Sequence, residues 1–275
     1  MISVNELPLK CIHYPDGTIK PELKDIMKHI RELGEDYIEI TWAYDNDAEL
    51  FQLITLKKHL DNNFICNACL KLAFVPNSRM DRTYSCEEAF TLKYFCEVIN
   101  GLKFDGVRIE DPHSNVAPAL LDNVIVEYRF KSVVENSIDK NTVLFFPDNG
   151  SASKYTKHYN HPYAYGLKKR DWETGKILGL DIVENGINLK GKDITIVDDI
   201  SSRGGTFYYS AKALKELGVN EITLCVTHCE NSVLEGEMIK SSLIDRIVTT
   251  DSIFTGEHEK IEVKRWYRGE QNEEN

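Results

Sequence analysis

The chain of 275 residues has no apolar run approaching the roughly 20 residues that a membrane-spanning helix requires. Its first residues, Met1 to Leu7, carry neither a basic patch nor an apolar core, so no secretory leader is expected. Excess positive charge is also missing. The 33 Lys and Arg stand against 44 Asp and Glu, for a net charge of −11. That balance excludes bulk binding to nucleic acid or to an anionic membrane surface. It leaves room for local basic clusters. There is no low-complexity segment, no sequence repeat and no Pro/Gly/Ser-rich linker, so any two domains are expected to follow one another closely. The seven cysteines are odd in number and scattered, which fits a reducing, cytoplasmic setting. Cys66-Asn-Ala-Cys69 has no second pair at zinc spacing and is read as structural on a strand, as are Cys225 and Cys229.

What is present is a soluble α/β pattern. Hydrophobic residues make up 42% of the chain and charged ones 28%, as in globular domains. Short β-runs alternate with helical spacing. Helices are predicted over 21–33, 48–60 (inward Leu50, Phe51, Ile54 and Leu56), 86–100, 207–217 and 234–242. The helix over 86–100 opens on a Ser85–Glu88 capping box, with Phe90, Tyr94, Phe95, Val98 and Ile99 inward. Strands are predicted over 36–42, 64–75, 104–109, 141–146, 163–167, 194–197, 221–227 and 246–250. The alternation falls into two halves, 1–125 and 126–275. The expected fold is two tandem α/β domains, each a mostly parallel sheet flanked by helices.

Residues 193–206 organise the chain: Asp-Ile-Thr-Ile-Val-Asp-Asp-Ile-Ser-Ser-Arg-Gly-Gly-Thr. A β-run leads to the acids Asp198 and Asp199, then to Ser201, Ser202, Arg203, Gly204, Gly205 and Thr206, then to a helix stopped by Gly218. Small residues opening a helix leave N–H groups converging on an anion, and the helix dipole adds to them. Carboxylates beside such a cradle suit sugar hydroxyls or a metal ion. The pattern predicts a ribose-phosphate site.

Four other loops carry polar or charged groups. They are Tyr14-Pro-Asp16-Gly-Thr18, Arg79-Met-Asp81-Arg82, Asp111-Pro-His113 and Pro147-Asp148-Asn-Gly150. A basic cluster, Lys168-Lys-Arg170, follows a β-run. The stretch 197–206 resembles the phosphoribosyl-pyrophosphate loop of type I phosphoribosyltransferases and phosphoribosyl-pyrophosphate synthetases. The full set, in this order along nearly the whole chain, resembles the synthetase family. That resemblance implies a function: Mg²⁺-dependent transfer of the β,γ-diphosphate of ATP to the anomeric hydroxyl of ribose 5-phosphate. The products would be phosphoribosyl pyrophosphate and AMP.

The resemblance also implies roles. Tyr14, Asp16 and Thr18 would reach the adenine of a neighbouring subunit, so a homo-oligomer is expected. Arg79, Asp81, Arg82 and His113 would bind ATP, with His113 and Asp148 holding the metal. Lys168 and Arg170 would act from a mobile flap. Asp148, Asp198, Asp199 and the 201–206 loop would hold the ribose phosphate. Such chemistry is positioning plus cationic charge stabilisation, and it needs no strong general base.

Several of these residues have plainer readings. His113 could be a loop histidine bonded to backbone, Asp111, Tyr14 and Asp16 turn residues, and Lys168-Lys-Arg170 a solvated charge run. His158 and His161 are read as structural. Four positions depart from the family pattern: Thr18, Met80, Pro112 and Arg203 replace Glu, Gln, Leu and Thr. Arg203 raises a second acceptor class, a larger ribose phosphate such as ADP-ribose, as in NAD metabolism. A phosphoribosyltransferase and a non-catalytic regulatory member are the remaining alternatives.

Overall fold

The computed structural model describes the chain except residues 35–36, 66, 171–176 and 269–275, with only the backbone described at 168–170, 177 and 178. The chain divides into two compact units, Met1–Tyr128 with the segment from Tyr267, and Arg129–Trp266. Tyr267 and Arg268, expected with the second half, pack on the first.

In the first unit, β1 (Ile2–Val4), β2 (Leu7–Pro8) and the hairpin of β3 (Cys11–His13) and β4 (Ile19–Pro21) precede α1 (Leu23–Leu33). Then come β5 (Ile38–Trp42), α2 (Ala48–Asn62), β6 (Ala68–Leu72), α3 (Thr91–Gly101), β7 (Gly106–Glu110), α4 (Val116–Leu120) and β8 (Val124–Glu127). The sheet order is β2-β1-β5-β6-β7-β8, with β5 to β8 parallel and β1 antiparallel to β5. Three successive crossovers in one direction place their helices on one face. Burial alternates to match: Ile38, Ile40 and Trp42 are buried on β5, and Glu39 and Thr41 between them are half-buried.

Two helices differ from expectation. In α2 the buried apolar residues are Leu53, Leu56 and Leu60, Leu50 and Ile54 pack against the same core as expected, and Phe51 is exposed. Apolar residues at 50, 51, 53, 54 and 56 ring most of that helix, so the sheet selects the buried face. Helix α3 starts at Thr91, not at 86. Glu88 reaches back to the Tyr84 N–H at 2.8 Å, and Ser85 accepts from Glu87 N–H at 3.3 Å. The capping-box residues therefore close local turns. Leu92, Phe95, Cys96 and Ile99 face inward, while Tyr94 and Val98 are exposed.

The second unit runs α5 (Phe130–Glu135), β9 (Val143–Phe146), α6 (Asn149–Tyr155), β10 (Tyr163–Arg170), β11 (Ile177–Val183), β12 (Ile194–Ser201) and α7 (Gly205–Glu216). It continues with β13 (Ile222–Cys229), α8 (Glu237–Lys240), β14 (Arg246–Thr250) and β15 (Ile261–Lys264). The sheet order is β11-β10-β9-β12-β13-β14-β15, parallel except for β11. This sheet is buried on both faces. Val143, Phe145, Ile194, Ile196, Ile222 and Leu224 join one core with Phe207, Ala211 and Leu214 of α7. Their strand neighbours Leu144, Phe146, Val197 and Cys225 join another with Phe130 and Val133 of α5 and Tyr155 of α6. Cys225 and Cys229 are buried wall residues, in line with their structural reading. Cys66 lies outside the described residues, while Cys69 sits on β6. Among the described residues, no helix is long and apolar enough to cross a membrane.

Candidate active site

From β9 the chain passes through α6 to β10 on one side, and from β12 it passes through α7 to β13 on the other. Ligands of open parallel sheets bind beyond the strand ends where connections diverge in this way. Both loops expected to hold the acceptor open at that divergence.

Asp148 ends the β9 loop and caps α6, its Oδ1 accepting the Ser151 N–H at 3.0 Å. The Ser151 hydroxyl donates to Asp198 Oδ1 at 3.1 Å, so one serine ties the two loops together. Asp198 Oδ1 also accepts the Asp199 N–H at 3.0 Å. Partial burial, the Asp199 carboxylate and, further off, Asp148 push the Asp198 carboxyl well above the ordinary carboxylate range. Asp199 is buried, with Lys154 Nζ at 4.0 Å from its Oδ1. The structure brings together the three expected acids and adds Ser151 and Lys154, which no motif marked. The signal for Lys154 was its place six residues, nearly two turns, after Asp148 on a helix too short to be read from the sequence.

Beyond the acids, Gly204 takes φ 76 and ψ 20, a left-handed conformation suited to glycine, and caps α7. Among the described residues, no atom lies within 4 Å of a Cβ placed on Gly205, so they leave the start of α7 uncovered at that position. On the other side the loop is pressed against the 236–238 segment. A Cβ on Gly236 would lie 2.0 Å from the Arg203 carbonyl oxygen, and one on Gly204 would lie 2.6 Å from Met238 Cε. Gly236 is a third missed residue, since close approach between distant segments leaves no local trace. The Arg203 guanidinium bonds Glu235 Oε2 at 3.0 Å, with both side chains well exposed. Ser201 is buried and its hydroxyl donates to the Ser202 carbonyl at 3.2 Å. The Thr206 carbonyl accepts the Ser210 hydroxyl inside α7 at 2.9 Å.

Lys168 and Arg170 do not follow the β-run. They lie in β10, opposite Leu180 and Ile177 of β11, with a register shift between Lys169 and Arg170. The basic residues continue the strand because β11 supplies an antiparallel partner.

In the first unit, the loops after β6 and β7 meet at Asp81. This carboxylate is buried and takes a forked contact from Arg82, with Nε at 2.8 Å and Nη2 at 3.3 Å. That contact, then the Ser114 hydroxyl, Arg82's charge and nearby His113, hold it below the ordinary carboxylate range. Arg79, Arg82 and His113 are exposed around it. Asp111 is buried at φ 39, a left-handed backbone that is unusual for a non-glycine residue. Tyr14, Asp16 and Thr18 form the tip of the β3–β4 hairpin. Asp16 Oδ1 accepts the Thr18 N–H at 2.9 Å and its hydroxyl at 2.7 Å, and Tyr14 is exposed. His158 stacks edge-on to Phe130 at 5.2 Å, consistent with its structural reading.

Among the described residues, no three His, Cys, Asp or Glu side chains are arranged to hold a metal ion. Asp148 and Asp198, bridged by Ser151, offer oxygen donors of the kind a hard cation such as Mg²⁺ takes beside water and substrate oxygens. They do not suit a closed protein cage.

Comparison with known proteins agrees with this architecture. Residues 124–262 match the model of the phosphoribosyl transferase domain. A ribose-phosphate pyrophosphokinase of Saccharolobus solfataricus is 24% identical over 71% of this chain and 73% of its own length. Its counterpart in Campylobacter jejuni is 26% identical over 87% of this chain and 77% of its own. The crystal structure of the phosphoribosylpyrophosphate synthetase from Mycobacterium smegmatis superposes with a TM-score of 0.73 at 16% identity, covering 94% of this chain and 86% of that one.

Proposed function

The chain belongs to the phosphoribosyl-pyrophosphate synthetase family of diphosphokinase-type transferases, and on that premise we propose that it makes phosphoribosyl pyrophosphate and AMP from ribose 5-phosphate and ATP. The observation that carries this reading is the acid pair Asp198–Asp199 in β12, one loop before the glycine N-cap of α7, at the sheet's point of divergence.

In this reading the amides of Ser202 to Thr206 and the α7 dipole cradle the 5-phosphate. Asp198 and Asp199 orient the ribose hydroxyls. The anomeric oxygen forms a bond to the β-phosphorus of ATP as the bond from that phosphorus to the α-phosphate oxygen breaks, releasing AMP. Lys168 and Arg170 stabilise the charge on the transferring group, and Arg79 and Arg82 grip the nucleotide phosphates. Mg²⁺ would neutralise charge and orient the diphosphate. Asp148 is the residue of the second unit proposed for it, and His113 that of the first. The hairpin tip Tyr14–Thr18 reaches the adenine of a second copy, which makes the active form a homo-oligomer working in the cytoplasm.

A product-mass assay with ATP, Mg²⁺ and a panel of ribose phosphates tests the proposal. AMP and a diphosphorylated sugar are the expected products. Activity that needs a nucleobase instead of ATP, or no activity, would refute it. A second acceptor class, ADP-ribose, is favoured by one feature. Arg203 places a guanidinium beside the phosphate loop, held only by a solvent-exposed pair with Glu235 that an anionic acceptor could displace. Parallel assays with the two acceptors decide between them.

A further inference from the structure

Beyond β15 the chain returns to the first unit. The Trp266 N–H donates to Asp251 Oδ1 at 2.8 Å within the second unit, and the next two residues are built into the first. Tyr267 is buried against Ala43 and Ala73, the residues directly following β5 and β6. Its hydroxyl donates to Glu110 Oε2. Lys71 Nζ lies 3.5 Å from the other Glu110 oxygen and 5.4 Å from the centre of the Tyr267 ring. The side chain of Arg268 is also largely withdrawn from solvent. Its Nη1 lies 2.7 Å from Asp45, and its Nη2 donates to the carbonyls of Ala43 and Tyr44 at 3.4 and 3.3 Å. Two consecutive residues thus fasten the carboxyl ends of three adjacent strands.

The position of the fastening matters. Glu110 is the last residue of β7, wholly buried, and immediately precedes the left-handed Asp111 and the turn to His113. A buried carboxylate stays where its donors hold it, because losing one leaves a charge poorly compensated. The direction in which the 111–113 turn leaves the sheet is therefore set in part by a side chain more than 150 residues later in sequence, as Glu110 and Tyr267 are 157 positions apart.

We propose that Tyr267 and Arg268 are positioning residues for the nucleotide half of the active site. Tyr267 aims the Asp111–His113 turn through Glu110, and Arg268 holds the loop after β5. The inference rests on the reading of the His113 loop as nucleotide-binding. A merely structural pair would lower stability and leave the two substrates alike, whereas positioning splits them.

The test uses the full chain, with ATP·Mg²⁺ affinity measured by calorimetry and both KM values from steady-state rates. Tyr267→Phe keeps the ring and removes the hydroxyl. Its ATP Kd and KM are expected to rise on the order of tenfold, with the KM for ribose 5-phosphate unchanged. A lower melting temperature with unaltered ATP affinity would overturn the inference, and so would an equal rise in both KM values. If Tyr267→Phe does not fold, Arg268→Lys keeps the charge without the fork and carries the same split. Wild-type protein that binds no ATP counts against the nucleotide reading and this inference together. Wild-type binding with unaltered variants counts against the inference alone.

Discussion

Two aspartates, one at the carboxyl edge of each sheet, are held in opposite electrostatic settings. Asp81 in the first unit is paired with a forked arginine and titrates below the ordinary range. Asp198 in the second sits with Asp199 and Asp148 as neighbours and titrates well above it. The edge of the first unit is thus already neutralised around Asp81, which works as a knot between two loops. The edge of the second unit gathers three carboxylates, with the Lys154 ammonium at 4.0 Å from Asp199 Oδ1. Both regions are assembled from separated loops, one with its carboxylate paired to an arginine and the other with carboxylates gathered together. Carboxyl groups shifted in this way cluster at functional sites.

The largest effect should come from the flap strand. Lys168→Ala should lower turnover by roughly 10²-fold or more, the scale of losing one transition-state charge partner, while ATP affinity measured by calorimetry changes little. Equal turnover in the variant would remove Lys168 from the mechanism.

Next is a probe of the acceptor half alone. Gly236→Ala drives a Cβ into the Arg203 carbonyl, and should cost about 1–3 kcal/mol of stability as overpacking does. Acceptor affinity should weaken with it, and ATP affinity should not. A variant with wild-type acceptor KM would show that the loop tolerates displacement.

Stability against pH sharpens the contrast between the two acids. Asp81, with its carboxyl shifted down, adds stability that is complete above the ordinary carboxylate range and is lost as pH falls through its depressed value. Asp198, shifted up, acts in reverse. It favours the fold when protonated, and that advantage is lost as pH rises through the ordinary range toward its raised value. At neutral pH, Asp81→Asn should therefore destabilise, by on the order of 1–3 kcal/mol for a broken charged contact, and Asp198→Asn should stabilise while abolishing activity. Denaturant titrations at pH 4 and pH 7 separate the two. Loss of stability in both variants at neutral pH would dissolve the comparison.

The smallest effect belongs to Arg203→Ala. Its exposed pair with Glu235 should contribute at most about 1 kcal/mol, so stability should stay near wild type. Any marked change should appear only in preference between ribose 5-phosphate and a larger acceptor.

Legibility in the sequence followed the same division. The 193–206 stretch was readable because strand, acids, glycines and helix are consecutive, and each step is a local rule of backbone geometry. The nucleotide loops were readable only as a family pattern. What joins them, Asp81 to Ser114 and Glu110 to Tyr267, is contact between distant positions. Short elements escaped for a different reason. Helix α5 has six residues and α6 has seven, too few for a periodicity to stand out. Strand β15 hid in a charged tail, although Ile261-Glu-Val-Lys264 alternates as an edge strand does.

By itself the sequence determined the α/β class and the glycine turn into α7, because these depend on side chains a few residues apart. Tertiary structure decided which face of α2 is buried, where α3 begins, and that Lys168 to Arg170 extend a strand. It also decided that Tyr267 and Arg268 serve the first unit. Each of those outcomes depends on a partner surface that folding brings near, which no local window of the chain contains.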